Sequence, residues 1–351
     1  MKISVNSRLQ LSARRRQVGM TLLELMISIA IGLFLVAGIG ALIAQQSRSR
    51  AELDKTGRQI ENGRYAFTLL QDDIENAGYY GQYTMVMPVP TALPDPCAKD
   101  KVSIDAALAL PLQGYDSPST VPAPLANCLD DANHVPNTDI LVVRRLETDD
   151  PLPPLASAVA AQVYVQATPS AKITDIGPDP TPAAPSKYTL VQKDGVTPAE
   201  LRRYVEHIYF VSPCHVYAVG TTCTATADGG NPIPTPMRLE ITVGPGGVPQ
   251  FVTTPLVDGI ENMQLDYGVD AIGSGSPAAP FITAPALADW PNVMAVRINL
   301  LARNTAKSAG YSDNKTYNMG AVGSIGPTSD GYKRHVYTGT VRVINPSSRR
   351  E

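Results

Sequence analysis

The chain has 351 residues, a formal net charge of −3 and 44% apolar against 17% charged residues. This balance argues against global disorder and lacks the basic excess of a nucleic-acid binder. All 31 prolines lie after Met87. The first 87 residues can therefore form one long helix, whereas the remainder cannot be helix-dominated, because proline lacks the N–H and clashes with the preceding turn. Residues 1–19 hold Lys2, Arg8, Arg14, Arg15 and Arg16 and no acid, so a +5 leader precedes a body of −8. That is a targeting arrangement rather than a fold feature.

From Leu25 to Ala44 no residue is charged. At about 1.5 Å per residue this helix covers ~30 Å, the thickness of a bilayer core. The arginines before it predict a cytoplasmic N-terminus, with everything after Ala44 across the inner membrane. A cleaved secretory signal would be shorter and end in a small-residue site. A plain anchor leaves Glu24 unexplained at the mouth of the apolar run, unless it is a charge tolerated at the interface. A carboxylate in hydrocarbon costs a few kcal/mol, so such acids usually have a partner.

The stretch RRRQVGMTLLELMISIAIGLFL, residues 14–35, resembles a type IV prepilin leader: basic residues, a glycine, then an apolar run with glutamate at its fifth position. The resemblance implies that prepilin peptidase cleaves after Gly19 and N-methylates Met20, the new N-terminus. Glu24 becomes the fifth mature residue. It would pair with the α-amino group of an adjacent subunit's first residue, setting register, since a paired charge in a low-dielectric bundle costs far less than a lone one. Two departures are visible. Met20 stands where the family most often has phenylalanine, and the apolar run lacks the proline of many major pilins. Gly32, Gly38 and Gly40 are its only weak points.

Residues 45–78 continue the helix. Leu53, Ile60, Phe67, Leu70 and Ile74 fall on one stripe, predicted to pack on a later sheet. The helix is predicted over about residues 21–77, with Gly78 as its cap. The segment QIENGRYAFTLLQDDIENAGYYG, residues 59–81, resembles the minor pilin PilW family. Arg64, Asp72 and Asp73 read as a solvated helix face.

Beyond Tyr83, short β-like runs alternate with proline and glycine breaks. Strands are predicted at Asp139–Leu146, Ala161–Thr168, Lys187–Gln192, Leu201–Val211, Met237–Val243, Val248–Thr253, Ile260–Tyr267, Val293–Ala302 and His335–Ile344. Leu201–Val211 could also be helical after Pro198-Ala-Glu; strand is the better reading. PLPPLASA, GPDPTPAAPS and GSGSPAAP read as loops. The order predicts an α+β, type IV pilin-like fold: a long N-terminal helix, transmembrane then amphipathic, packed on an antiparallel β-sheet domain with long Pro-rich loops. The expected divisions are a leader at 1–19, an apolar half-helix at 20–44, an amphipathic half at 45–78 and a periplasmic domain at 79–351. LRRYVEHIYFV, LVDGIENMQLDYGVD, VMAVRINLLARN and YKRHVYTGTVRVIN resemble the PilW family more loosely.

Cys97, Cys128, Cys214 and Cys223 all follow the apolar run, hence lie in an oxidising compartment, where an even count favours disulfides. Three pairings are open. Cys97–Cys128 and Cys214–Cys223 are expected because each closes a proline- or glycine-containing loop. The rival is a zinc site from His207, Cys214, His215 and Cys223, whose spacing matches no common zinc pattern. Asp266 with Asp270, or Asp313 with Asn314, could join a calcium site, but neither follows an EF-hand loop. No nucleophile elbow, metalloprotease helix, P-loop or dinucleotide fingerprint occurs, so no catalytic residue, metal or cofactor is expected. The 15 tyrosines fit either a binding surface or ordinary strands.

The resemblance implies a structural minor pilin that primes pilus assembly and supports twitching motility and adhesion. Its implied partners are other minor pilins, the major pilin, prepilin peptidase and a tip adhesin. The alternatives are a minor pseudopilin of type II secretion, an anchored periplasmic binding protein or adhesin, and a membrane-anchored enzyme.

Overall fold

The computed structural model describes residues 19–152, 159–178, 186–216 and 222–348. The leader up to residue 18, and most of PLPPLASA and GPDPTPAAPS, lie outside the described residues. The chain divides into two compact units, Met1–Asp54 and Lys55–Glu351. A single helix, α1 (Leu22–Asn76), contributes to both.

In the first unit every described residue up to Ala51 is exposed, the apolar run included; Phe34, for example, is 86% exposed. By length and composition this helix can cross a membrane. Its uncovered apolar surface demands lipid or other helices around it.

Among the described residues the second unit holds the rest of α1, a short helix α2 (Lys101–Ala107) and twelve strands. These are β1 (Leu112–Tyr115), β2 (Ile140–Leu146), β3 (Val163–Ala167), β4 (Lys172–Ile176), β5 (Leu201–Ser212), β6 (Thr235–Val243), β7 (Pro249–Pro255), β8 (Ile260–Val269), β9 (Val293–Arg303), β10 (Tyr317–Asn318), β11 (Ser324–Ile325) and β12 (Arg334–Arg342). One sheet runs β1-β2-β5-β3-β4, with β6 also paired to β5 and β7 to β6. A second runs β12-β9-β8, and β10 pairs with β11. All pairings are antiparallel.

The main core joins both larger sheets to α1. Ala66, Leu70 and Ile74 of the helix meet Leu141, Val143 and Tyr209 of the first sheet and Leu265, Val296 and Ile298 of the second. Burying a side chain such as Leu70 or Ile74 contributes about 1.5–3 kcal/mol. β2 and β5 are buried on both faces over most of their length, and their charged residues there, Arg144, Glu206 and His207, are ion-paired. Ile140, Val142, Ile208 and Phe210 point to the opposite side, where Cys97, Leu125 and Leu129 cover them.

The two sheets are stitched at Asp139. Its carboxylate accepts hydrogen bonds from the Ser117 N–H (2.8 Å) and the Leu265 N–H (2.6 Å). Burial pushes this carboxyl up to about 7, against the opposing effect of those two donors.

Several expectations need correction. Lys187–Gln192 is not a strand: Leu190 and Gln192 bond back to Ala199 and Thr197 in a local loop, leaving one isolated bridge. The last strand ends at Arg342, because a helical turn, Ile344–Ser348, takes over. The helical stripe is rotated from the predicted one. Its buried residues are Gln59, Gly63, Ala66, Leu70, Asp73 and Ile74, while Leu53 and Ile60 are exposed and Phe67 is half-buried. β1, β4, β10, β11 and α2 lie outside the expected elements, being short; α2 is started by Asp100, whose side chain accepts from the Val102 and Ser103 N–H groups.

Candidate functional site

The mature N-terminus would begin at Met20, one residue before the cap of α1. The Thr21 hydroxyl accepts from the Glu24 N–H (3.3 Å), and the Thr21 carbonyl accepts from the Leu25 N–H (3.1 Å). Thr21-Leu-Leu-Glu24 is thus a capping-box pattern, a signal of the helix start that the sequence carries. Glu24 lies in the first helical turn, where a negative charge also favours the helix dipole. Gly19, Met20 and Glu24 are exposed.

Farther along α1, the Asn-Gly-Arg-Tyr-Ala stretch is where the helix approaches β12. A Cβ at Gly63 would lie 2.6 Å or less from three atoms of the Tyr337 ring. Reciprocally, a Cβ at Gly339 would lie 2.8 Å from the Phe67 ring at Cε2. The helix leaves a gap for the strand's tyrosine, and the strand leaves a gap for the helix's phenylalanine. The two glycine–aromatic pairs sit four residues apart on the helix and two apart on the strand, the natural periods of each. Polar contacts frame them. Asn62 Nδ2 donates to the Asp258 carbonyl (2.9 Å), and Gln59 Nε2 donates to the Ala302 and Lys333 carbonyls (2.8 and 3.0 Å). A glycine inside a helical pattern was the available signal, since it usually has a packing reason.

One turn before the helix ends, Asp73 is not solvated as expected but buried. It accepts from Arg145 Nε (2.8 Å), His207 Nδ1 (2.7 Å) and the Tyr209 hydroxyl (2.9 Å). Burial opposes its ionisation, but His207 and Arg145 outweigh this and hold the carboxyl at about 2. Burial likewise disfavours the His207 cation, yet the Asp73 hydrogen bond and charge, with Glu240 at 3.3 Å, raise its pKa overall. The cluster pins α1 to β2, β5 and β6. Arg64 and Asp72 are exposed, as a solvated face requires.

Disulfides join Cys97 to Cys128 and Cys214 to Cys223. The zinc alternative therefore has no thiolates. Its histidines are spoken for as well: His207 by Asp73, and His215 by Asp258 (2.6 Å). The calcium candidates are engaged internally. Asp266 accepts from the Ala321 N–H (3.1 Å), Asp270 from the Ser274 and Gly275 N–H groups (2.8 and 2.9 Å), and Asp313 from Arg334 and Tyr317 (both 3.0 Å). Arg334 also binds Glu261 and Asp330, which holds the Asp330 carboxyl at about 2 despite burial. Among the described residues no group of three or more His, Cys, Asp or Glu could hold a metal ion.

Two family models match the chain. Residues 14–40 match the prokaryotic N-terminal methylation motif, and residues 216–345 match the type IV pilus-assembly protein W family. The first match covers Gly19, Met20 and Glu24; the second covers β6 to β12. No curated protein and no solved structure matches the chain.

Proposed function

We propose that the chain serves as a minor pilin that initiates pilus assembly, a reading supported by the matches to the N-terminal methylation motif and to the type IV pilus-assembly protein W family. The carrying observation is the methylation-motif match at residues 14–40, placed where a threonine-capped helix opens with Glu24 and continues through the apolar run. In this reading prepilin peptidase removes residues 1–19 on the cytoplasmic side and methylates Met20. The apolar helix is first a single-pass inner-membrane anchor, with the domain from residue 79 in the periplasm. It then enters the filament beside other minor pilins and the major pilin. Glu24 pairs with the N-terminal amine of a neighbour and fixes the axial register, because breaking such a buried pair leaves an uncompensated charge. The role is structural; a tip adhesin, twitching motility and attachment lie downstream of it.

The test uses two variants of the full chain expressed in the native cell. Glu24→Ala is expected to insert and be shortened normally yet be missing from sheared pili. Gly19→Ala is expected to stay at full length by intact-mass measurement. Normal piliation by the first variant would remove the register role, and a shortened chain from the second would remove the cleavage assignment.

A further inference from the structure

Beside the glycine–aromatic clasp lies an open cleft of about 430 Å³, between α1, β12 and the loop leading to β10. Arg64, Lys315, Lys333, Arg334 and His335 contribute to its lining, and no carboxylate does. Of these, Arg334 is neutralised from behind by Glu261, Asp313 and Asp330. Arg64 and Lys315 form no ion pair among the described residues, and both are exposed. Lys333 lies 5.9 Å from the Tyr311 ring, and Tyr337 closes the floor against Gly63. In a chain whose body beyond the leader carries −8, an acid-free cleft with two unpaired cations is a local reversal of charge. It selects an anion.

The shape of the cleft narrows the class of ligand. A free small molecule is held by burying most of its surface. Here Ile60, Arg64, Lys315 and His335 stand in solvent, so the walls would leave such a ligand wet. A side chain delivered by a larger surface does not need that enclosure, because the surrounding contact excludes water. Ile60, 42% exposed at the rim, supplies an apolar contact beside the charges, as a protein partner would use. Four of the lining residues, Thr56, Gln59, Ile60 and Arg64, lie on α1, the helix that enters the filament in the proposed function.

We propose that this cleft receives an aspartate or glutamate side chain of a neighbouring pilin subunit, with Arg64 and Lys315 as the charge partners and Ile60 as the apolar rim. The proposal rests on the minor-pilin reading above. It is tested in the full chain in its native cell, with a photo-crosslinking amino acid at Ile60 and the adduct mapped by mass spectrometry. The expected adduct lies on a chain bearing the same prepilin leader, next to an Asp or Glu. Arg64→Glu with Lys315→Glu, both at exposed positions, should lower adduct yield by at least about tenfold, since like charges now face each other. An unchanged melting temperature checks that this double variant is folded. Changing the partner's acid to Lys should restore the adduct in the double variant. An adduct on nucleic acid, lipid, polysaccharide or a protein without the leader overturns the assignment. So does undiminished yield in the double variant, failure of the charge swap, or no adduct at all. Sheared pili from the same cells separate the two readings. Absence of the wild-type chain from pili refutes the minor-pilin function, whereas presence in pili with an insensitive adduct refutes only the cleft.

Discussion

Replacing Gly63 by alanine tests whether α1 and β12 interlock as described. In an exposed helix interior this change stabilises by about 1 kcal/mol, because alanine loses less backbone entropy. At Gly63 the new methyl would overlap the Tyr337 ring. The ring must leave its place, losing its edge contact with His335 (centroids 4.8 Å) and its hydroxyl's hydrogen bond to the Gln59 carbonyl (3.4 Å). Overpacking of this kind costs about 1–3 kcal/mol. With the propensity gain of about 1 kcal/mol subtracted, the expected net loss is ~0–2 kcal/mol. For a unit running from Lys55 to Glu351, the upper end of that range lowers the melting temperature by roughly 4 °C.

The assay is thermal and urea unfolding of the full chain in detergent, in a double-mutant cycle with Tyr337→Ala. Once the ring is gone, the alanine methyl has room, and Gly63→Ala should turn mildly stabilising. The coupling between the two sites should then be about 1–3 kcal/mol, the overpacking cost itself, above the few tenths expected of independent positions. If Gly63→Ala stabilises both backgrounds equally, the helix and strand do not interlock here.

Stability should peak below neutral pH. Asp139 keeps its proton up to about pH 7 in the folded chain but ionises near 4 when unfolded, so stability falls across that window. The raised pKa of His207 makes its contribution full below about 6.5 and lost as pH rises through the folded value. Asp73 acts on the acid side: its contribution is present above 3.8 and lost as pH falls toward 2. A melting-temperature profile from pH 3 to 9 checks the signs, and Asp139→Asn should flatten the limb between 4 and 7. For the disulfides, loop closure predicts a cost of about 3–4 kcal/mol for opening Cys97–Cys128 and about 2–3 for Cys214–Cys223, from separations of 31 and 9 residues. Paired Cys→Ala variants followed by urea unfolding rank the two, and a larger loss from the shorter loop would contradict the ordering.

The long helix and the strands from β5 to β9 were legible because burial imposes strong apolar patterns on long elements. The orientation of α1 was not. Large apolar residues marked a stripe through Leu53 and Ile60, but the face toward the sheet carries Gln59, Gly63 and Asp73. Small and polar residues are buried there because the partners are an aromatic ring, backbone carbonyls and a His–Arg pair. Hydrophobic periodicity does not register such partners. Asp73 read as solvated for the same reason: its neutralising groups, Arg145 and His207, are 72 and 134 residues away in sequence. The cysteine pairing was legible because both loops are local, whereas the Arg334 cluster draws its acids from Glu261, Asp313 and Asp330 on separate elements.

The Asn-Gly-Arg-Tyr-Ala stretch and the C-terminal strands, apart in sequence, are two halves of one physical feature. The match to the pilus-assembly protein W family begins at residue 216 and so omits the helix, yet it contains Tyr337 and Gly339, whose shapes fit only around Phe67 and Gly63. A change on either side makes a clash or a cavity on the other. The clasp also divides the helix surface. Positions 59, 63, 66, 70 and 73 are buried by the domain itself. Those left on the outer face include Ile60, Arg64, Tyr65 and Asp72. A neighbouring subunit that packs along this part of α1 can therefore meet only the outer set. Such a contact would then rest on a few charged and aromatic side chains, with Ile60 as the apolar one among them.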